Sequence, residues 1–424
     1  MKIVGIIAEY NPFHNGHAYH LNMVRQKSGA DYLIIVMSGN FMQRGVPAML
    51  DKYTRAQMAL KNGADLVLEL PCLYACSSAE FFAKGAITLL DNLNIVNTLG
   101  FGCESDNLLT LQKVANVLAN EPCEYRKVLT NSLRKGLSYP ASRSIALNTC
   151  INDLSIDKSL LASPNNILAI EYLKSLYKLS SPITPLAIKR EGADYNDEKL
   201  HSSYSSALAI RNALFTHPKE GETVQDKFNI LKDHVPESVL KLLKKQYLYT
   251  LPVTTDDFSA LLHYKLLMDA DKGYEEYLDI SKDLSDKIKK NLNSYTNFDS
   301  FCMLLKSKEL TFTRICRCML HILLNIRKTA MEITPNETAI PYARVLGFKN
   351  DCTPLLKALK NNSDIPLVSI AADAKEFLLN PQISDYSKNL FNLDIKASRI
   401  YNSAILNRYG TILPDEFAMP LLKI

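Results

Sequence analysis

Two histidines stand three residues apart in Asn11-Pro-Phe-His14-Asn-Gly-His17, directly after the apolar run Lys2-Ile-Val-Gly-Ile-Ile-Ala8. The run reads as a buried parallel strand, and the stretch from about Gly16 to Ser28 as a helix. A three-residue spacing at a helix start puts both imidazoles on one face. The free backbone N–H groups and the positive end of the helix dipole point the same way, and anions bind there. Gly16 withdraws a side chain, which lets a nucleotide approach the backbone. Two imidazoles that donate hydrogen bonds can stabilise charge developing on a phosphate in transit. A bare His-x-x-His pair also fits a core pair, a surface pair or a zinc site, but no third metal ligand stands nearby.

A second candidate is Ser205-Ser-Ala-Leu-Ala-Ile-Arg211. Small hydroxyl residues in the first turn of a helix leave its N–H groups accessible and supply caps, and Arg211 adds a charge for phosphate. Between the two motifs, polar clusters follow apolar runs. They are Ser38-Gly-Asn-Phe-Met-Gln-Arg-Gly45, Phe101-Gly-Cys-Glu-Ser105, Ser163-Pro-Asn-Asn166 and Lys189-Arg-Glu-Gly-Ala-Asp194. Lys52 and Arg55 read as a solvated helix face, with phosphate contact as the other option.

The elements that must position these groups alternate. Strand signals at 2–8, 31–37, 65–71 and 97–102 are separated by helical stretches near 16–28, 51–62 and 77–93, with a fifth strand at 183–189. This order predicts an α/β doubly wound parallel sheet with right-handed crossovers, whose ligands bind outside the carboxyl ends of the strands. The clusters above all fall at that edge. A catalytic domain is expected over 1–215, a polar linker over 216–235 and a mostly helical domain over 236–424, with a short strand near 367–371. In the helical part, Arg314 and Arg317, Arg344 in Tyr342-Ala-Arg-Val-Leu-Gly-Phe348, and Lys396 and Arg399 mix cations with aromatics, a pattern that grips phosphates and stacks on unpaired bases.

Composition sets the bounds. The 424 residues are 47% hydrophobic and 22% charged, ordinary globular values that exclude collagen-like and largely disordered chains. No apolar run reaches the ~18 residues of a membrane span. Net charge is +5, which permits a nucleic-acid partner without demanding one, and neither half of the chain is a basic arm. Nine scattered cysteines, with only Cys72/Cys76 and Cys316/Cys318 close in sequence, argue for buried thiols rather than zinc. Met1-Lys2 leads straight into the first strand without an apolar leader, so a reduced, cytoplasmic setting is expected.

The motifs carry a resemblance. His-x-Gly-His after the first strand is similar to the signature of the nucleotidylyltransferase superfamily, a Rossmann variant. Ser205 to Arg211 resembles that superfamily's second motif, Ser-x-Thr-x-Ile-Arg, except that Leu208 stands where Ser or Thr is usual. The strings Ile-Ile-Ala-Glu-Tyr-Asn-Pro-Phe-His-Asn-Gly-His, Met-Ser-Gly-Asn-Phe-Met-Gln-Arg-Gly, Gly-Ala-Asp-Leu-Val-Leu-Glu-Leu-Pro, Phe-Gly-Cys-Glu-Ser and Lys-Arg-Glu-Gly-Ala-Asp-Tyr resemble the bacterial tRNA(Met) cytidine acetate ligases over essentially the whole chain.

That resemblance implies an enzyme that uses ATP, with Mg2+ accompanying the nucleotide. It activates acetate as acetyl-adenylate and transfers the acetyl group to N4 of the wobble cytidine of elongator tRNA(Met). It implies an ATP site made of Ile7, Ala8, Glu9, Tyr10, Asn11, Pro12, Phe13, His14, Asn15, Gly16, His17, Ala18, Tyr19 and His20, with Gly102, Asn165 and Arg190. His14, His17 and Arg211 are the expected catalytic groups, with no resident metal. Ser38, Gly39, Asn40, Gln43 and Arg44 are candidates for the acetate, and Arg314, Arg317, Arg344, Lys396 and Arg399 for RNA. The residues alone leave two alternatives open: a small-molecule nucleotidylyltransferase, and an RNA-binding assembly factor that keeps a nucleotide fold without catalysis.

Overall fold

In strand Tyr32–Ser38 every second side chain goes to the same face. Leu33, Ile35 and Met37 enter one apolar core, and Ile34 and Val36 the other. A strand buried on both faces needs helices on both sides, which is why it reads as a continuous apolar run. The computed structural model describes residues 1–104, 107–151, 160–161, 163–190, 200, 204–215, 223–333, 338–370, 374–381 and 383–424.

Five parallel strands, β1 (Ile3–Ala8), β2 (Tyr32–Ser38), β3 (Leu66–Leu70), β4 (Thr98–Cys103) and β5 (Thr184–Lys189), form the body of one sheet. Its order is β5-β4-β1-β2-β3, followed by β6 (Ala343–Phe348) and β7 (Leu367–Val368), with β8 (Leu422–Lys423) also on β6. Val4 of β1 stands level with Leu33 of β2 and Thr98 of β4. The chain builds outward from β1 through β2 and β3, then returns to the other side with β4 and β5. The carboxyl end of β1 is therefore the point where the winding reverses and a crevice opens.

The helices Asn15–Ser28, Lys52–Lys61, Ala79–Asn92 and Pro164–Leu179 cover the sheet. Asp51 caps the second of these, accepting from the N–H groups of Tyr53 and Thr54 at 2.9 Å each. Gly29 ends the first in the left-handed region at φ 64°.

Three strands come from the stretch expected to be mostly helical. β6 runs antiparallel to β3, with Glu69 opposite Arg344, and only the short β7 was legible in the sequence. The sheet thus draws on residues from both sides of the 216–235 stretch. Arg344, expected at an RNA surface, is instead interior: 4% exposed, 2.8 Å from Glu416 and 3.1 Å from the Tyr53 hydroxyl. A strand held between β3 on one side and β7 and β8 on the other has to bury its own side chains.

Lys52 and Arg55 are likewise not a solvated face. Lys52 is 1% exposed and lies 2.7 and 2.8 Å from the two carboxylate oxygens of Glu69 and 3.1 Å from Glu416. Burial works against its charge, and Glu416 and Glu69 outweigh burial, so its pKa sits above the usual lysine value. Lys52→Met should cost about 3–5 kcal/mol in denaturant unfolding, because buried Glu69 loses its ion-pair partner and Glu416 keeps only Arg344. A cost near zero would show that the pair contributes nothing to stability.

Candidate active site

The helix Asn15–Ser28 begins with two imidazoles that cap it. His14 has extended backbone (φ −143°), and its Nδ1 accepts the N–H of Gly16 at 3.1 Å. The Nδ1 of His17 accepts the N–H of His14 at 3.3 Å. This is a reciprocal capping box with histidines in the places usually held by Ser or Thr and Glu or Gln. An Nδ1 that accepts from the backbone carries no proton, so these bonds assign the neutral tautomer with hydrogen on Nε2.

The two rings stack at 3.6 Å and 27°, and Tyr10 meets His17 edge-on at 4.8 Å. A Cβ on Gly16 would lie 2.9 Å from Cε1 and 3.1 Å from Nδ1 of His14. The glycine thus makes room for the folded-back His14 ring, a more local need than the approach of a nucleotide.

The loops at the carboxyl ends of β1 and β2 are held by Arg55, which is fully buried. Its guanidinium donates to the carbonyls of Leu50 (3.1 Å), Glu9 (2.6 Å), Ser38 (3.1 Å) and Gly39. Glu9 Oε1 accepts the Gln43 N–H at 2.8 Å, and Asn11 Oδ1 accepts that of Met49 at 2.9 Å. Arg211 reaches from the helix Ala207–Phe215 to the carbonyl of Asn11 at 2.6 Å. At that helix's start Ser206 accepts from Ala209 N–H at 3.0 Å, and Ser205 meets Nδ1 of His234 at 3.0 Å. On the other side, Glu104 accepts from Nδ2 of Asn165 at 2.5 Å and from the N–H of Asn166 at 3.0 Å.

These parts enclose a cavity at the carboxyl end of β1 and β4. Its polar wall includes His14, His17, Arg44, Arg190, Ser205 and Arg211, and its apolar wall Met42, Phe82, Phe101, Leu168 and Tyr172. Burial, then Arg190 and Arg211, push His14 down to about 3. Burial and Arg190 bring His20 to about 4, and burial, His14 and Arg190 hold His17 well below the ordinary value. Burial raises Glu9 against the pull of the Gln43 N–H and of Arg211, Arg44 and Arg55. At neutral pH the wall therefore offers uncharged imidazole donors beside arginines, a setting matched to a polyphosphate.

The family model described as HIGH Nucleotidyl Transferase matches residues 1–411. Proteins named tRNA(Met) cytidine acetate ligase are 40% identical in Thermoanaerobacter sp. (strain X514), with both chains covered in full. In Clostridium novyi (strain NT) the identity is 40% over 95% of this chain and all of the relative. The chain belongs to the tRNA(Met) cytidine acetate ligase family. Its structure is similar to that of Thermotoga maritima TmcAL, at 31% identity over the full length of both chains. The TM-score is 0.91 to the apo form and 0.88 to the complex with alpha-thio ATP.

For this member of the ligase family, the cavity gathers most of the expected nucleotide residues. Ile7 through Asn11, His14, Gly16, His17, Tyr19 and His20 line it, with Gly102, Asn165 and Arg190. Pro12, Phe13, Asn15 and Ala18 do not. Phe13 is core, and the Asn15 amide donates to the Asp233 carbonyl at 2.9 Å. Gln43 and Arg44 reach the cavity, whereas Ser38, Gly39 and Asn40 lie behind it. The Cβ position of Gly39 is taken by Glu69, and Asn40 Oδ1 accepts the Lys52 N–H at 2.8 Å.

Ser105 and 191–194, from two of the polar clusters, fall outside the described residues. Away from the cavity, Arg314 and Lys396 are exposed, Arg317 is half-buried, and Arg399 is held by Asp415 at 2.7 Å. The apolar wall of Phe82, Leu168 and Tyr172 was not legible, since these residues sit in helices that read only as core-facing.

A histidine whose folded pKa lies below its unfolded value of about 6.5 leaves the unfolded state holding the extra proton. Its stabilising contribution is complete above that pH and is lost as pH falls toward the folded value. Unfolding free energy should thus drop below about pH 6.5, by up to ~1.4 kcal/mol per unit per histidine. His14→Asn, which can keep the cap, should flatten that slope in denaturant titrations at about pH 5 and about pH 7. An unchanged slope would reject the neutral-histidine assignment.

Proposed function

We propose that this chain is an ATP-dependent ligase that joins acetate to N4 of the wobble cytidine of elongator tRNA(Met). The observation that carries the reading is the cavity with its paired imidazoles, in a chain 40% identical over its full length to proteins named tRNA(Met) cytidine acetate ligase. The similar Thermotoga maritima TmcAL is bound with alpha-thio ATP, which supports ATP as the nucleotide.

In the first step a carboxylate oxygen of acetate attacks the α-phosphorus of ATP. The bond to the β-phosphate oxygen breaks, and acetyl-adenylate and pyrophosphate result. Attacking group, reacting centre and leaving group are all negative, so charge placement is the main task. Nε2–H of His14 and His17 donates to phosphate oxygens, and Arg190 and Arg211 supply positive charge. Arg44 and Gln43, adjacent on the same wall, are assigned to the acetate carboxylate. In the second step the N4 amine attacks the acetyl carbonyl, AMP departs, and nitrogen gives up a proton. An aromatic amine is a weak nucleophile, so orientation of the base carries much of this step. A wobble base lies in a single-stranded loop and can be splayed into a cavity.

Mg2+ is assigned as a companion of the triphosphate and not as a resident metal. Glu9 is the one carboxylate among the described lining residues, and the described residues form no group of three or more metal ligands. Residues 1–215 supply every described lining residue and are assigned the chemistry. Arg314, Arg317 and Lys396, in 236–424, are assigned to hold RNA. The helix Phe312–Leu324 abuts the acetate loop, since a Cβ on Gly45 would strike the backbone of Cys316 and Arg317. Among the described residues no helix is long and apolar enough to cross a membrane.

His17→Ala should lower acetate-dependent ATP–pyrophosphate exchange about a hundredfold or more, the loss seen when one charge-stabilising donor is removed. Undiminished exchange in a folded variant would refute the site. Labelled acetate incubated with ATP, magnesium and total tRNA should appear as N4-acetylcytidine in elongator tRNA(Met). Label in a small molecule instead would identify a different acceptor.

A further inference from the structure

We infer that the helical insertion between β4 and β5, residues 108–150, presents the phosphate-binding face on which RNA docks beside the nucleotide cavity. This rests on the reading above, in which an RNA is the acetyl acceptor. The first observation is charge. The insertion holds Lys113, Arg126, Lys127, Arg134, Lys135 and Arg143 against only Glu121 and Glu124. It thus accounts for four of the chain's five net positive charges in about a tenth of its length, a concentration that counting by halves averages away.

The second observation is orientation. In the helix Cys123–Arg134, Tyr125 and Ser132 are buried and Val128 and Leu129 half-buried, which fixes the inward side. At about 100° per residue, Arg126, Lys127, Thr130 and Arg134 fall within an arc of roughly 100° on the opposite side. All four are exposed, as is Lys135 at the helix end. Arg126 and Arg134 are separated by about 12 Å along the axis, enough to meet successive phosphates.

The third observation is the state of these cations. Among the described residues, Arg126, Lys127, Arg134 and Lys135 engage no carboxylate, whereas Arg327, Arg399 and Arg408 each pair with one. Unpaired surface cations on one face are what a polyanion can neutralise. Tyr139, 55% exposed, stands just beyond the helix with exposed Leu137, apolar surface on which an unpaired base can stack.

The fourth is attachment. The insertion begins shortly after β4 and precedes the helix Pro164–Leu179 that leads to β5, and the Glu104 carboxylate grips Asn165 and Asn166 at the cavity rim. Helix Leu108–Asn120 packs along helix Pro164–Leu179, which begins at that rim. The insertion that carries this face is thus anchored at the cavity rim.

The test uses the full chain with Arg126→Gln, Lys127→Gln, Arg134→Gln and Lys135→Gln together. A charge-matched control carries Lys2→Gln, Lys27→Gln, Lys61→Gln and Lys84→Gln at exposed positions outside both the insertion and 236–424. Binding of elongator tRNA(Met) is titrated at several salt concentrations, and ATP–pyrophosphate exchange is measured without RNA. The insertion variant should bind RNA at least tenfold more weakly. Its dependence of log K on log salt should be shallower by about three, at ~0.7–0.9 per lost phosphate contact. Exchange should be unchanged, and the control should bind like the unmodified chain.

Unchanged RNA affinity and salt slope in the insertion variant would overturn the inference and leave the face to an acidic protein or a lipid surface. An equal loss in the control would overturn it too, by reducing the effect to net charge. Failure of exchange in the unmodified chain would count against the proposed function instead, while the RNA titration would still decide the role of the insertion.

Discussion

Four backbone carbonyls around one guanidinium fix the geometry on which the cavity depends. Arg55 has no carboxylate in hydrogen-bond contact among the described residues. Its charge is solvated by the carbonyl dipoles of Glu9, Ser38, Gly39 and Leu50. A planar fork of five donors suits this task and an ammonium does not. Three of those carbonyls, of Glu9, Ser38 and Gly39, end or follow a strand, and the fourth, of Leu50, precedes the cap of Arg55's own helix, so the guanidinium ties the last residues of β1 and β2 together where the winding reverses. Burial lowers the pKa of Arg55, the cost of keeping a cation in the interior. Without it, the turn that aims His14 and the loop that carries Gln43 and Arg44 would each be free to drift.

A second layer of buried charge couples the catalytic sheet to the later part of the chain. Lys52 bridges Glu69 on β3 and Glu416, and Glu416 also holds Arg344 on β6. Asp394 lies nearby, bonded to the Tyr342 hydroxyl at 2.6 Å and to the Cys72 N–H at 2.7 Å. Burial and Glu69 push it up to about 7. Such networks specify an arrangement more than they add net stability, because desolvation offsets much of the attraction. Here the specified feature is the seating of β6 against β3.

What the sequence disclosed and what it hid divide along a physical line. The five parallel strands were legible because each is a short apolar run bounded by polar or turn-forming residues, whereas β6 and β8 were not read as strands. The paired imidazoles were legible because their spacing and their place after β1 are local facts. Lys52 and Arg55 misled because a charged helix residue ordinarily faces water. What overrides that expectation is a set of carbonyls and carboxylates far away in sequence, Glu416 among them. Arg344 misled for the same reason, since its carboxylate lies 72 residues further on. The capping role of the two histidines was hidden differently, because the motif shows the residue types but not which ring nitrogen the backbone occupies.

Glu416 and β8 are synthesised after every strand they complete. While a ribosome is still making the intervening helices, Lys52 has only half of its counter-charge and the outer edge of β3 lies open. The contacts along β3 and around Lys52 are therefore incomplete while the first half emerges. The edge of β3 is covered only once β6 is made, and the counter-charge of Lys52 is complete only with Glu416, so a nascent chain of this kind spends most of its translation with an unpaired strand edge that other polypeptides can reach.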